Sequence, residues 1–309
     1  MKSLKKTKAL KLKFIDLFAG IGGFHLALKS LGFECIFTSE IDEFARKTYK
    51  ANFKEKYLNN PLLFAGDIWE VDFSKIPDFD LLCAGFPCQP FSQAGYKKGF
   101  NDNKNGNLFF SILEILKIKK PRAFILENVR HLEKHDNGRT FKIIYESIRK
   151  IGYTFDHKII KASDFGLPQH RPRIFMIGFL KNNIKDTFHE LPFNFPKEIR
   201  LKKTMSDIMG GFVSKNLNGS EERKIGFTLR VGGGKSPIDD RRNWDSYIVN
   251  DSIMRINPRQ SLEMMGFPKN FKLPVSDNQA MKQIGNSVAV NVVEEIGKSL
   301  VVHLKNYSK

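Results

Sequence analysis

Along the first 180 residues, short apolar runs alternate with stretches whose apolar residues recur at spacings of three and four. The runs predict strands at Lys13 to Phe18, Glu34 to Ser39, Leu62 to Ala65, Asp80 to Ala84, Ala123 to Leu126, Phe155 to Lys161 and Ile174 to Gly178. The amphipathic stretches predict helices at Phe24 to Leu31, Glu43 to Asn52, Leu108 to Ile118 and Thr140 to Ile151. Apolar strands separated by helices imply a parallel sheet covered by helices, the doubly wound α/β class. From about Lys181 to Pro274 the periodicity fades, and FTLRVGGGKSPIDDRRNW is rich in both glycine and arginine. This segment, 181–274, is expected to form a second, smaller and irregular domain. Periodicity returns in Gln279 to Leu304, where Ile284, Val288, Val292, Ile296 and Leu300 make one stripe. A final helix packing back on the large domain is expected there, so that domain comprises 1–180 plus 275–309.

Composition narrows the class. At 309 residues, with 41% hydrophobic and 27% charged, the chain is an ordinary soluble one with room for two domains. Lys and Arg number 51 against 33 Asp and Glu, a formal charge of +18. A polyanionic partner follows naturally, although a lysine-rich solvated surface gives the same balance. Three cysteines without a Cys-x-x-Cys spacing argue against a disulfide framework or a structural zinc site, so no metal is expected. No apolar run is long enough to span a bilayer, and MKSLKKTKALKLKF lacks the apolar core of a signal peptide. A cytoplasmic, monomeric chain with no membrane partner is the expectation.

In an open α/β sheet, ligands bind beyond the carboxyl ends of the strands. Those positions here read DLFAGIGGF, SEID, GDI, AGFPCQPFS and LENV. Gly20, Gly22 and Gly23 permit a tight turn and close approach of backbone to ligand, but His25 stands where a G-x-G-x-x-G fingerprint would place its last glycine. Glu40 is placed to accept from ribose hydroxyls, and Asp67 from an adenine amino group. Cys88 lies between two prolines in a turn that would present its thiol to a cleft, whereas Cys35 and Cys83 read as buried, inert thiols. Glu127 closes the apolar run of the neighbouring strand.

FIDLFAGIGGF, GFPCQPFS, ENV after a strand, QHRPR and QAMKQIGNSVAVNV, in that order, resemble the motif set of DNA (cytosine-5) methyltransferases, most nearly the small bacterial enzymes of restriction–modification systems. The resemblance covers nearly the whole chain outside Lys181 to Asn250. It implies a Rossmann-like domain using S-adenosylmethionine, followed by a target-recognition domain that engages double-stranded DNA. Cys88 would add to carbon 6 of cytosine, Glu127 would donate at nitrogen 3, and Asn128 would hold its motif in shape. Arg171 and Arg173 would hold the cytosine carbonyl, the thiolate or the adjoining backbone. For the cofactor, Phe18 and Ile41 would enclose adenine, Glu40 the ribose, and Asp67 and Ile68 the adenine edge. Gly20, Gly22, Gly23 and Gly85 would border the rest, completed by Asn286, Ser287 and Val288. Ile41 stands where an aromatic residue is expected in some relatives.

Because carbon 6 is hidden in the base stack, the resemblance also implies extrusion of the target nucleotide. Gln89 to Asp102, with Gly95 and Gly99, resembles a mobile loop that closes over DNA, with Gln89, Ser92, Lys97 and Lys98 as contacts. Arg230, Lys235, Arg241, Arg242 and Asn243 are the candidates for reading sequence. A restriction endonuclease acting on the same site is the partner that the resemblance allows. Three other readings are open to such a chain: a transfer-RNA cytosine methyltransferase, a catalytically silent DNA-binding relative and a nicotinamide-dependent dehydrogenase. The Gly/Arg-rich segment argues against the first, joint retention of Cys88, Glu127 and Arg171 against the second, and the broken glycine fingerprint against the third.

Overall fold

The computed structural model describes residues 12–87, 108–181, 192–232 and 234–306. Strands β1 (Lys13–Leu17), β2 (Glu34–Ser39), β3 (Phe64–Ala65), β4 (Leu81–Gly85), β5 (Ala123–Val129), β6 (Asp156–Lys161) and β7 (Pro172–Phe179) form one sheet in the order β3-β2-β1-β4-β5-β7-β6. Helices α1 (Gly23–Ser30), α2 (Glu43–Asn52), α3 (Leu108–Lys119) and α4 (Arg139–Lys150) lie between the strands, each within two residues of its sequence expectation. Alternate residues of the strands face opposite layers. Phe14, Leu81, Cys83, Ile125 and Ile177 belong to one apolar core, while Ile15, Leu17, Leu82, Ala84, Phe124 and Leu126 belong to the other. Burial on both faces is why these strands read as continuous apolar runs.

The sheet departs from the all-parallel expectation at β7, which runs antiparallel to both β5 and β6. Only the short link 162–171 separates β6 from β7, too little for the crossover that a parallel pair requires. The reversal has a consequence for chemistry. It brings the start of β7, rather than its end, to the edge where the parallel strands finish, so that Arg173 pairs with Val129 two residues beyond Glu127.

Beyond β7 come α5 (Met205–Met209), a small sheet of β8 (Val213–Ser214), β9 (Ser246–Val249) and β10 (Ser252–Arg255), and α6 (Pro258–Met264), which starts on a capping box between Asn257 and Gln260. Met205, Leu229, Trp244, Tyr247, Leu262 and Phe267 join the core under α1. The expected single C-terminal helix is two, α7 (Asp277–Asn286) and α8 (Val290–Asn306), separated by Ser287 to Ala289. All five stripe residues are buried, so the apolar pattern survives the break. Among the described residues, no helix is long and apolar enough to cross a membrane.

Gly22 shows how tightly the turn after β1 is set. It has φ +87°, and a Cβ there would lie 2.9 Å from the Tyr49 ring and closer still to Phe53. Backbone strain and overpacking then act together, so Gly22→Ala should lower stability by about 2–5 kcal/mol. Urea unfolding of the two proteins measures this directly, and equal midpoints would contradict it.

Candidate active site

A cavity of about 380 Å³ opens at the carboxyl edge of the sheet. Its wall draws on the turns after β1 to β5, the entry to β7 and the last turn of α7, including Phe18, Gly20, Glu40, Ile41, Asp67, Ile68, Gly85, Glu127, Arg171, Arg173 and Asn286. The size falls within the range of small-molecule sites.

Glu40 binds two strand ends together: its carboxylate accepts from Gly20 N at 2.7 Å and from Asp42 N at 2.8 Å. Burial pushes its proton affinity up, and those backbone donors pull it down. Each oxygen retains a lone pair, so the group can still accept from a ligand hydroxyl. Phe18, held at φ +55° by the turn, and the exposed Ile41 add apolar surface to the wall. Asp67 accepts from Trp69 N at 3.0 Å, starting a short helical turn that includes the buried Ile68.

Deeper in the cavity, Glu127 is buried at the end of β5. Desolvation raises its pKa above the ordinary carboxylate range, opposed by Arg173 and then Arg171. Arg173 Nε stands 3.0 Å from Glu127 Oε1 as an ion pair, but the oxygen has no aligned hydrogen-bond donor. A Cβ at Gly85 would lie 3.4 Å from the other Glu127 oxygen, so the end of β4 sits in close reach of this carboxyl group. Asn128 donates from Nδ2 to Phe86 O at 2.8 Å and accepts from Val129 N, fixing the chain that leads into Pro87.

Arg171 is only 2% exposed. Nη1 donates to Leu229 O at 3.0 Å, and Nη2 donates to Gly285 O at 2.8 Å and Ser287 O at 2.7 Å. Two of these carbonyls are free because α7 ends at Asn286, which explains the helix break missed in sequence. Burial and Arg173 draw the guanidinium pKa down to about 9 against the pull of Glu127, leaving it charged at neutral pH. Its Nε is buried with no partner.

Other sequence candidates fall elsewhere. Gly22 packs under Tyr49 and Phe53, and a Cβ at Gly23 would lie 2.7 Å from Val288 Cγ2 and 2.9 Å from Ser287 Oγ. These four residues therefore back the cavity without lining it. His25 stacks on Phe53 at 4.0 Å and bonds to Tyr49 OH, so the missing glycine is filled by a core contact. Cys35 and Cys83 are buried, with the Cys35 thiol pushed by burial to about 12. Arg230, Lys235 and Arg241 are exposed, and Arg242 is held by Asp240 at 2.7 Å. Asn243 is buried, its amide donating to Ser246 O and accepting from Ser246 N, which removes it from the reach of DNA. Cys88, Gln89, Ser92, Lys97 and Lys98 lie outside the described residues; Pro87, immediately before Cys88, lines the cavity.

Sequence reasoning missed Lys282 and Gln283, which line the cavity from α7. Their spacing of four and three residues from Asn286 was the available signal, since such positions share a helix face. It also missed Asp16, fully buried on β1, its pKa raised chiefly by desolvation against the opposing pull of the His25 backbone N–H. Within an apolar run, nothing marked that position.

The family model described as C-5 cytosine-specific DNA methylase matches residues 12–232 and 221–302. The Type II methyltransferase M.SsoII of Shigella sonnei is 40% identical, with 94% of this chain and 80% of the relative covered. M.HhaI of Haemophilus parahaemolyticus, also a Type II methyltransferase, is 36% identical with 97% of each covered. Among solved structures, a putative DNA modification methyltransferase encoded within an E. coli prophage superposes with TM-score 0.68 at 23% identity, covering 96% of this chain and 100% of that one. That likeness supports the fold, while the family model and the close relatives carry the assignment: the chain belongs to the C-5 cytosine-specific DNA methylase family and is a DNA (cytosine-5) methyltransferase.

Proposed function

We propose that the chain methylates carbon 5 of cytosine in duplex DNA through covalent attack by Cys88 on a nucleotide turned out of the helix. The observation that carries this reading is the convergence of Glu127, Arg171 and Arg173 on one cavity wall beside Pro87. Carbon 5 of cytosine is a weak nucleophile until a thiolate adds at carbon 6. Electrons from the ring double bond then move toward nitrogen 3 and the carbonyl oxygen. A protonated Glu127 donates at nitrogen 3, and guanidinium donors stabilise the carbonyl oxygen. Glu127 Oε1 and Arg171 Nε, buried without hydrogen-bond partners among the described residues, support this reading, since a bound base could supply those partners. Loss of the carbon 5 proton to solvent, expulsion of the Cys88 thiolate and return of the nitrogen 3 proton to Glu127 would restore the enzyme.

S-adenosylmethionine is the cofactor in this reading, and when bound it supplies an electrophilic methyl group. The donor set fits it: Glu40 has lone pairs for ribose hydroxyls, Asp67 faces the cavity as an acceptor, and Phe18, Ile41 and Ile68 give apolar surface for a purine. Asn286 and Gly20 border the remainder.

The division of labour proposed is catalysis by 1–180 plus 275–309 and sequence reading by 181–274. Arg230, Lys235 and Arg241 are its exposed candidate contacts, and the +18 balance favours a phosphate backbone. A restriction endonuclease cutting the same unmethylated sequence belongs with this setting.

Two outcomes follow. Glu127→Gln keeps the shape of the group but cannot release a proton, so turnover should fall by about 10²–10⁴-fold. In the parent enzyme kcat/KM should decline as pH rises through the raised Glu127 pKa, because ionisation removes the donor. That limb should be absent in the variant; its persistence at the same pH would assign it to another group. Glu40→Ala should weaken S-adenosylmethionine binding by about 10-fold or more while leaving duplex affinity within about twofold. Calorimetric titration with each ligand separates the two, and an unchanged cofactor affinity would contradict the role of Glu40.

A further inference from the structure

Gly232 and Lys235, in the glycine-rich run after Leu229, are each held by one of two consecutive buried residues. Trp244 Nε1 donates to Gly232 O at 3.0 Å. Lys235 N donates to Asp245 Oδ2 at 2.9 Å, at a residue held at φ +71°. A Cβ at Gly234 would lie 3.2 Å from that same carboxylate oxygen and 3.5 Å from the Trp244 ring, so the chain lies flush against this support. Asp245 is in turn gripped from β10. Arg255 Nη1 donates to Oδ1 at 3.1 Å and to Oδ2 at 3.0 Å, across a pair in which the Asp245 side chain is 10% exposed and the Arg255 side chain 44%.

The position of this run matters. A Cβ at Gly285 would lie 2.7 Å from Arg230 O and 3.2 Å from Val231 N, and Gly285 lines the active-site cavity. Leu229 O accepts from Arg171. One end of the run is therefore fixed against the catalytic wall, and the other hangs on Asp245. Between them Arg230 and Lys235 project outward without an ion-pair partner among the described residues.

We propose that Asp245 is a positioning residue for DNA recognition: it sets the height and direction of Gly234 and Lys235 beside the cavity, and Arg255 holds the Asp245 carboxylate in the orientation this requires. The inference rests on the reading of 181–274 as the sequence-reading segment. An aspartate that accepts from a loop amide and a guanidinium, and from the neighbouring Ser246 hydroxyl, transmits the placement of β10 to the loop without touching DNA. A main-chain anchor of this kind also frees Lys235 to use its whole side chain outward.

The test compares Asp245→Ala, Asp245→Asn, Arg255→Ala and the double variant Arg230→Ala/Lys235→Ala. Each is assayed for kcat and KM on the preferred duplex and on every single-base variant of that site, with S-adenosylmethionine affinity measured alongside. Asp245→Ala should raise the KM for the preferred duplex and reduce discrimination against wrong bases by about fivefold or more, the scale of one lost base contact. Cofactor affinity should stay within twofold. Asp245→Asn retains an acceptor for Lys235 N and should recover most of the discrimination, whereas a merely structural loss would show in cofactor affinity as well. Should Asp245→Ala fail to fold, Arg255→Ala at the exposed end of the pair should show the same loss of discrimination in smaller measure. Unchanged discrimination in Asp245→Ala and Arg255→Ala, with the double variant altered, would overturn the positioning role while leaving the reading segment in place. Unchanged discrimination in all of them would overturn both.

Discussion

The buried guanidinium of Arg171 is the constraint on which the site depends. A charge removed from water must be met by fixed acceptors, and breaking such a set is strongly destabilising. Here the acceptors are three main-chain carbonyls from two distant parts of the chain, Leu229 and the pair Gly285 and Ser287. Satisfying one side chain therefore forces α7 to stop where it does, and seats the start of the glycine-rich run against the end of that helix. The antiparallel direction of β7 delivers this arginine to the catalytic edge. If β7 ran parallel, its first residues would sit at the opposite end of the sheet.

Around that anchor the cavity is a balance between buried carboxyl groups and the donors that face them. Glu40 has two backbone N–H donors and is committed to joining the first two strand ends. Glu127 has arginine charges nearby but no aligned donor, and burial holds its pKa high. The same residue type is thereby given two different settings, a carboxylate committed to backbone donors in one place and a carboxyl group whose pKa is raised by burial in the other. Asn128 adds a mechanical link, tying the end of β5 to Phe86, just after the end of β4.

Much of this was legible in the sequence because its cause is local. Glu40, Asp67, Gly85 and Glu127 sit at or just past the ends of apolar runs, and strand ends meet at one edge whatever the loops do. Helix α2 was placed to the residue, since Asp42 caps it and its periodicity is clean. What escaped depends on contacts between distant segments. The reversal of β7 turns on a link too short to cross over, and the gap between α7 and α8 turns on Arg171; the unbroken apolar stripe concealed the second. Asn243 looked like a reader of DNA because it follows two arginines, yet its amide closes a turn on Ser246. Gly22 and Gly23 were placed against the ligand by their motif, whereas their lack of side chains makes room for Phe53 and Val288.

The proposed covalent attack on cytosine requires Cys88 as the nucleophile. Fluorine at carbon 5 cannot leave as the proton does, so a thioether formed at carbon 6 should persist once the methyl group has been transferred. Duplex DNA carrying 5-fluorocytosine at the methylated position, incubated with the enzyme and S-adenosylmethionine, should give a denaturant-resistant complex of one protein per site. Peptide mapping should place the link at Cys88, and Cys88→Ser should form none. Absence of the complex with the parent enzyme, or its formation by the serine variant, would contradict the account.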